Sequence, residues 1–124
     1  MNFDLTEEQR LIQDTARRFA AEEIAPTLEE EERRHEFRAD RVARMGGLGF
    51  FSCALPEELG GSGMGIMESV LMAEQIARIS ASWRLPFNMQ NLGPALTVTR
   101  FGTEAQKKKY VPGWWRARSS AFSP

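Results

Sequence analysis

Thr6-Glu7-Glu8-Gln9-Arg10-Leu11-Ile12-Gln13-Asp14-Thr15-Ala16-Arg17-Arg18-Phe19-Ala20-Ala21-Glu22-Glu23-Ile24-Ala25-Pro26 is the stretch on which the fold turns. Leu11, Ile12, Thr15, Ala16, Phe19, Ala20 and Ile24 recur at three- and four-residue steps, with charged residues on the other side. That period belongs to a helix with one face in a core, not to a strand. Thr6 followed by Gln9 has the form of a capping box: the hydroxyl accepts from a first-turn N–H and Gln9 reaches back. Pro26 cannot continue the backbone ladder. The spacing predicts an amphipathic helix over about residues 7–24.

The rest of the chain reads the same way. Glu29 to Glu32 with Arg33 and Arg34 is a charge run, expected to be a solvated helical face or connector, with His35 exposed and idle in it. A second helix is expected over about 38–46, with Val42 and Met45 inward and Gly46-Gly47 or Gly49 stopping it. Phe50 to Leu55 is a short apolar run entering Pro56, expected as buried extended chain, with Cys53 a packed small residue. Pro56 to Gly65 is loop. Its glycines fit neither GxxxxGK[ST] nor GxGxxG, so they are expected to serve a tight turn, not a phosphate.

Ile66 to Ile79 is the next helix, with Met67, Val70 and Leu71 expected in the core. Ser80-Ala81-Ser82 can cap a helix starting near Trp83, broken by Asn88 to Pro94. Ala95 to Phe101 is expected as a short helix closed by Gly102 at a C′ position. Thr103 caps a last helix carrying Lys107, Lys108 and Lys109 in its final turn, stopped by Pro112-Gly113. No strand pair emerges. The fold class is all-α, a bundle of five or six helices.

Composition narrows function by exclusion. The chain has 124 residues, 42% hydrophobic, with a net charge of −1, which suits one folded domain. Near-zero charge argues against nucleic acid or an anionic membrane as partner. One cysteine and one histidine exclude an internal disulfide and a Cys- or His-rich metal site. A single histidine in a charge run, with no G-x-S-x-G, leaves no hydrolase triad, and the adjacent Glu57 and Glu58 point apart on a loop. No run approaches the roughly 18 apolar residues of a membrane span, and the acidic N-terminus lacks signal-peptide order. A soluble intracellular protein is expected, cytoplasmic in a bacterium or in the mitochondrial matrix of a eukaryote. Residues 1–62 carry eight basic and fourteen acidic residues, residues 63–124 eight and three, so the halves balance at −6 and +5. Facing halves or charges matched to helix ends would explain this, and a surface for an anionic ligand is the alternative.

Five short stretches then stand in a telling order. They are Leu5 to Gln9, Ile24-Ala25-Pro26, Gly47-Leu48-Gly49-Phe50, Pro56 to Gly61, and Arg100 to Pro112. Each is weak alone. As an ordered set over about residues 1–114 they closely resemble the N-terminal helical domain of the acyl-CoA dehydrogenases. The resemblance implies FAD as cofactor, oxidation of an acyl-CoA between its α and β carbons, an electron-transfer flavoprotein as acceptor and a homo-oligomer. It also implies that the catalytic glutamate and most of the flavin site lie in later domains, so no catalytic residue is carried over here. The expectation is the N-terminal part of such an enzyme, inactive alone, with a stand-alone helical interaction module as the alternative.

One substrate residue follows from the resemblance. Ser82-Trp83-Arg84 is similar to the segment in which glutaryl-CoA dehydrogenases place an arginine for the far carboxylate of a dicarboxylyl-CoA, a task suited to a planar guanidinium. Leu85 departs from the small polar residue common there. The competing role for Arg84 is to cap or bridge helices, with Trp83 packed on it. Residues 115–124 are polar, basic and aperiodic, and are expected to be a disordered non-family tail, read in a shifted frame after Trp114.

Overall fold

A computed structural model describes residues 2–115 of the chain. Helix α1 runs Glu7–Phe19 and passes into a π-helical turn, Ala20–Ile24. Then follow α2 (Leu28–Arg34), α3 (Ala39–Gly47), a 3₁₀ turn (Glu57–Leu59), α4 (Ile66–Ile79), α5 (Ala81–Asn91), α6 (Pro94–Phe101) and α7 (Glu104–Trp115). The described residues contain no strand. The all-α reading holds.

The capping box forms as the sequence predicts: Gln9 N donates to Thr6 Oγ1 at 3.1 Å and Thr6 N to Gln9 Oε1 at 3.1 Å. Gln9 Nε2 also donates to Glu68 Oε1 at 3.0 Å, tying the start of α1 to α4. Thr103 and Gln106 repeat the box at α7. Phe19, Ala16, Ala20 and Ile24 meet Val42 and Met45 of α3, Met72 and Ile76 of α4, and Trp83 and Phe87 of α5 in one core with Phe50 and Phe51. A smaller cluster joins Leu55, Ala95 and Val111.

Several expectations need correction. Met67 and Val70 are 57% and 51% exposed; α4 buries Leu71, Met72 and Ile76, with Ser69 and Gln75 between them. Two of the three residues assigned to that core therefore lie on the other side of the helix. Leu11 is also exposed, at the mouth of a 290 Å³ cleft shared with Leu48, Phe50, Met64 and Met72. Residues 50–55 are buried except for the half-buried Ala54, yet as tight turns rather than extended chain. Ser52 N and Leu55 N close turns onto Gly49 O and Ser52 O, while Gly63 N and Gly65 N donate back to Leu55 O and Cys53 O. A Cβ at Gly61 would overlap the Leu55 carbonyl, so that glycine exists for the chain's own close approach.

Three helix boundaries differ as well. Helix α5 begins immediately after its cap Ser80 and runs through Pro86, instead of starting near Trp83. Gly102 has φ −77°, not the left-handed value; a Cβ there would come 2.6 Å from Val98 O, which is why the position is glycine. Helix α7 does not stop at Pro112-Gly113. Val111 is fully buried and Gln90 Nε2 donates to Trp114 O at 3.1 Å, so tertiary contacts hold the turn that proline weakens. Lys107 to Lys109 consequently sit mid-helix and do not act as a terminal dipole cap. The expected tail lies outside the described residues, apart from Trp115 in α7.

Candidate functional site

The charge run is the first part of the site. It forms α2, acidic in its first turn and basic in its last, as the macrodipole favours. The run is not wholly solvated, because Glu31 is buried at 6% exposure. Arg41 of α3, equally buried, meets it with both arms of its fork: Nη1 to Glu31 Oε2 at 2.6 Å and Nη2 to Glu31 Oε1 at 2.8 Å. Thr27 Oγ1 donates to Glu31 Oε1 at 2.6 Å and accepts from Arg41 Nη2 at 2.9 Å.

The Arg41 hydrogen bond holds the Glu31 carboxyl below its ordinary 4.5, against burial, which pushes it up. A depressed folded-state value means that the unfolded chain takes up the proton first, so this contribution is present above about pH 4.5 and is lost as pH falls below it. Urea midpoints at pH 7 and in acid should therefore fall more steeply for the wild-type chain than for Glu31→Gln. Parallel slopes would show that the pair has no part in acid unfolding.

Arg41 also covers Trp83, its Cζ 4.7 Å from the ring centroid. Phe37 stacks on that ring at 5.5 Å and 15°. Trp83 is 5% exposed, and its backbone N–H donates to Ser80 Oγ at 3.2 Å. The residue after it, Arg84, is exposed, and its guanidinium has no hydrogen-bond, ion-pair or ring partner among the described residues. The helix-bridging role for Arg84 is thus not realised, and Trp83 packs on Arg41 instead. One turn on, Asn88 Oδ1 is buried without a partner; Asn91, fully buried, leaves both Oδ1 and Nδ2 unpartnered. Positions 84, 88 and 91 share one strip of α5. Unsatisfied buried amides are rare and expensive, so each needs an explanation. In the sequence Asn88 and Asn91 read as helix breakers; the signal that they belong with Arg84 is their helical spacing from it.

The other candidates fare differently. His35 is exposed, with φ 53°, as the C-cap of α2. Cys53 is 5% exposed and burial pushes its thiol up to about 11, so it is inert packing. Among the described residues no three His, Cys, Asp or Glu side chains come together as metal ligands. No helix among them is long and apolar enough to cross a membrane. Among the described residues each ion pair lies within one half of the chain: Glu23, Glu31 and Asp40 pair with arginines of residues 1–62, and Lys107 with Glu104.

The room beside Gly61 is filled by Leu55, and beside Gly63 the Glu57 side chain stands 3.3 Å from a Cβ position, so the glycine loop is no phosphate cradle. Among the described residues the buried side-chain atoms without a partner are Asn88 Oδ1 and Asn91 Oδ1 and Nδ2, all on α5.

Residues 6–118 match the family model described as acyl-CoA dehydrogenase, N-terminal domain. A glutaryl-CoA dehydrogenase of Desulfococcus multivorans is 40% identical over 115 residues, covering 90% of this chain and 30% of the relative. The structure of a glutaryl-coenzyme A dehydrogenase glutaryl-CoA complex superposes with TM-score 0.91 at 39% identity, over 95% of this chain and 31% of that one. A chain from a structure concerned with the electron transferring flavoprotein of Acidaminococcus fermentans gives TM-score 0.92 at 32% identity, over 97% and 32%. The chain spans about a third of the length of the relatives it matches.

Proposed function

The chain belongs to the acyl-CoA dehydrogenase family, and from that premise we propose that it supplies the N-terminal helical part of an FAD-dependent enzyme oxidising an acyl-CoA thioester, with no catalysis of its own. The substrate class we favour is a dicarboxylyl-CoA such as glutaryl-CoA. The observation that carries this is Arg84, a guanidinium free of structural duty on a strip with two unsatisfied amides. A fork of that kind takes a carboxylate with two parallel hydrogen bonds. FAD, an electron-transfer flavoprotein acceptor and a homo-oligomeric assembly belong to the same proposal. So does a cytoplasmic or mitochondrial-matrix location.

Two preparations test it. The chain alone, mixed with FAD, should give no stable yellow complex and no acyl-CoA-dependent dye reduction. The chain replacing the matching first part of the Desulfococcus relative should restore glutaryl-CoA-dependent dye reduction. A folded, flavin-loaded chimera that reduces no dye with any acyl-CoA would sink the proposal. In that case a monomeric chain with a sharp cooperative melt would favour the interaction module.

A further inference from the structure

Helix α5 carries Arg84 on a turn from which Pro86 removes one rung of the backbone ladder. Pro86 lies inside the helix and has no N–H, so Ser82 O lacks its normal partner. At the cap of that turn Trp83 N donates to Ser80 Oγ at 3.2 Å and Arg84 N to Ser80 O at 3.2 Å. On the same turn the Trp83 ring stacks on Phe37 and is covered by Arg41. Phe37 is 55% exposed and gives a soft face. Arg41 gives a rigid one, because Glu31 and Thr27 engage its fork through three hydrogen bonds of 2.6, 2.8 and 2.9 Å. A cation over an indole face, shielded from water, is at the strong end of such contacts.

We propose that Arg41 is a positioning residue for Arg84: locked by Glu31, its guanidinium pins the Trp83 ring and so sets the direction in which α5 presents the next side chain. The consequence for activity rests on the Arg84 reading above; the mechanical claim does not. The test is amide hydrogen exchange on the full chain, without substrate. Glu31→Leu with Arg41→Met replaces the pair by apolar groups of similar volume, an exchange that usually preserves stability. It should leave the α1 and α4 amides unchanged and speed exchange at Arg84 and Leu85 by about tenfold. Arg41→Lys keeps the charge against Glu31 without the planar fork, and should speed the same two amides by about threefold. Unchanged exchange at Arg84 and Leu85 in the variant that folds overturns the proposal. So does an increase there no larger than in α1 and α4, which would make Arg41 a general stabiliser. Because no ligand is added, failure of the Arg84 kinetic test leaves this outcome readable, and the reverse.

Discussion

Phe51→Ala should lower the thermal midpoint by about 10–20 °C, the equivalent of about 3–5 kcal/mol for a truncated core phenylalanine. Phe51 is fully buried, on a segment with no regular secondary structure. Its ring lies 6.1 Å from that of Phe87, tilted by 48°. The turns of residues 50–55 are stapled to residues 62–65 by backbone hydrogen bonds and cannot slide inward to fill the void. Collapse around the cavity is therefore poor, and the cost belongs at the upper part of the range. Against a domain stability of about 5–15 kcal/mol, this is a large fraction. Phe101→Ala is the control: that ring is 84% exposed, and its loss should stay within about 0.5 kcal/mol. Matched calorimetric scans decide the matter, and equal shifts for the two variants would refute the core assignment.

What the sequence discloses follows the range of the interactions involved. Thr6 with Gln9 and Thr103 with Gln106 act within one helical turn, and both caps form where their spacing puts them. Val42 and Met45 face the core because a three-residue step leaves them no other common side. Met67 and Val70 show where that logic fails. They are apolar at helical spacing, but which apolar side of α4 is covered depends on where α1 lies, and α1 covers Met72 and Ile76. The Glu31–Arg41 pair was hidden for the same reason: ten residues and a chain reversal separate the partners, so the run looked like a solvated face. Pro112 would end an isolated helix, yet the buried Val111 beside it holds the turn. Arg84 was legible through resemblance to a motif. Its lack of a partner among the described residues, and the unsatisfied state of Asn88 and Asn91, are facts of packing that no spacing encodes.

Arg84→Ala, in an enzyme carrying this domain, should lower kcat/KM for a dicarboxylyl-CoA by about 2–4 kcal/mol, or about 30- to 1,000-fold, the scale of breaking a desolvated charge pair. The magnitude follows from the environment a bound substrate would create. In the described chain the guanidinium is exposed and unpaired, so removing it disturbs nothing within the fold. The whole loss would then fall on the substrate: its far carboxylate would be buried against α5 with no counter-charge. A straight-chain acyl-CoA has no such carboxylate and should be much less affected. Arg84→Lys separates charge from geometry, since an ammonium supplies the charge but not the two parallel donors, and its loss should lie between wild type and alanine. Equal losses on both substrates would assign Arg84 to the structure of α5. An unchanged melting temperature in the isolated chain would contradict that assignment, so kinetics and melting together leave a single answer.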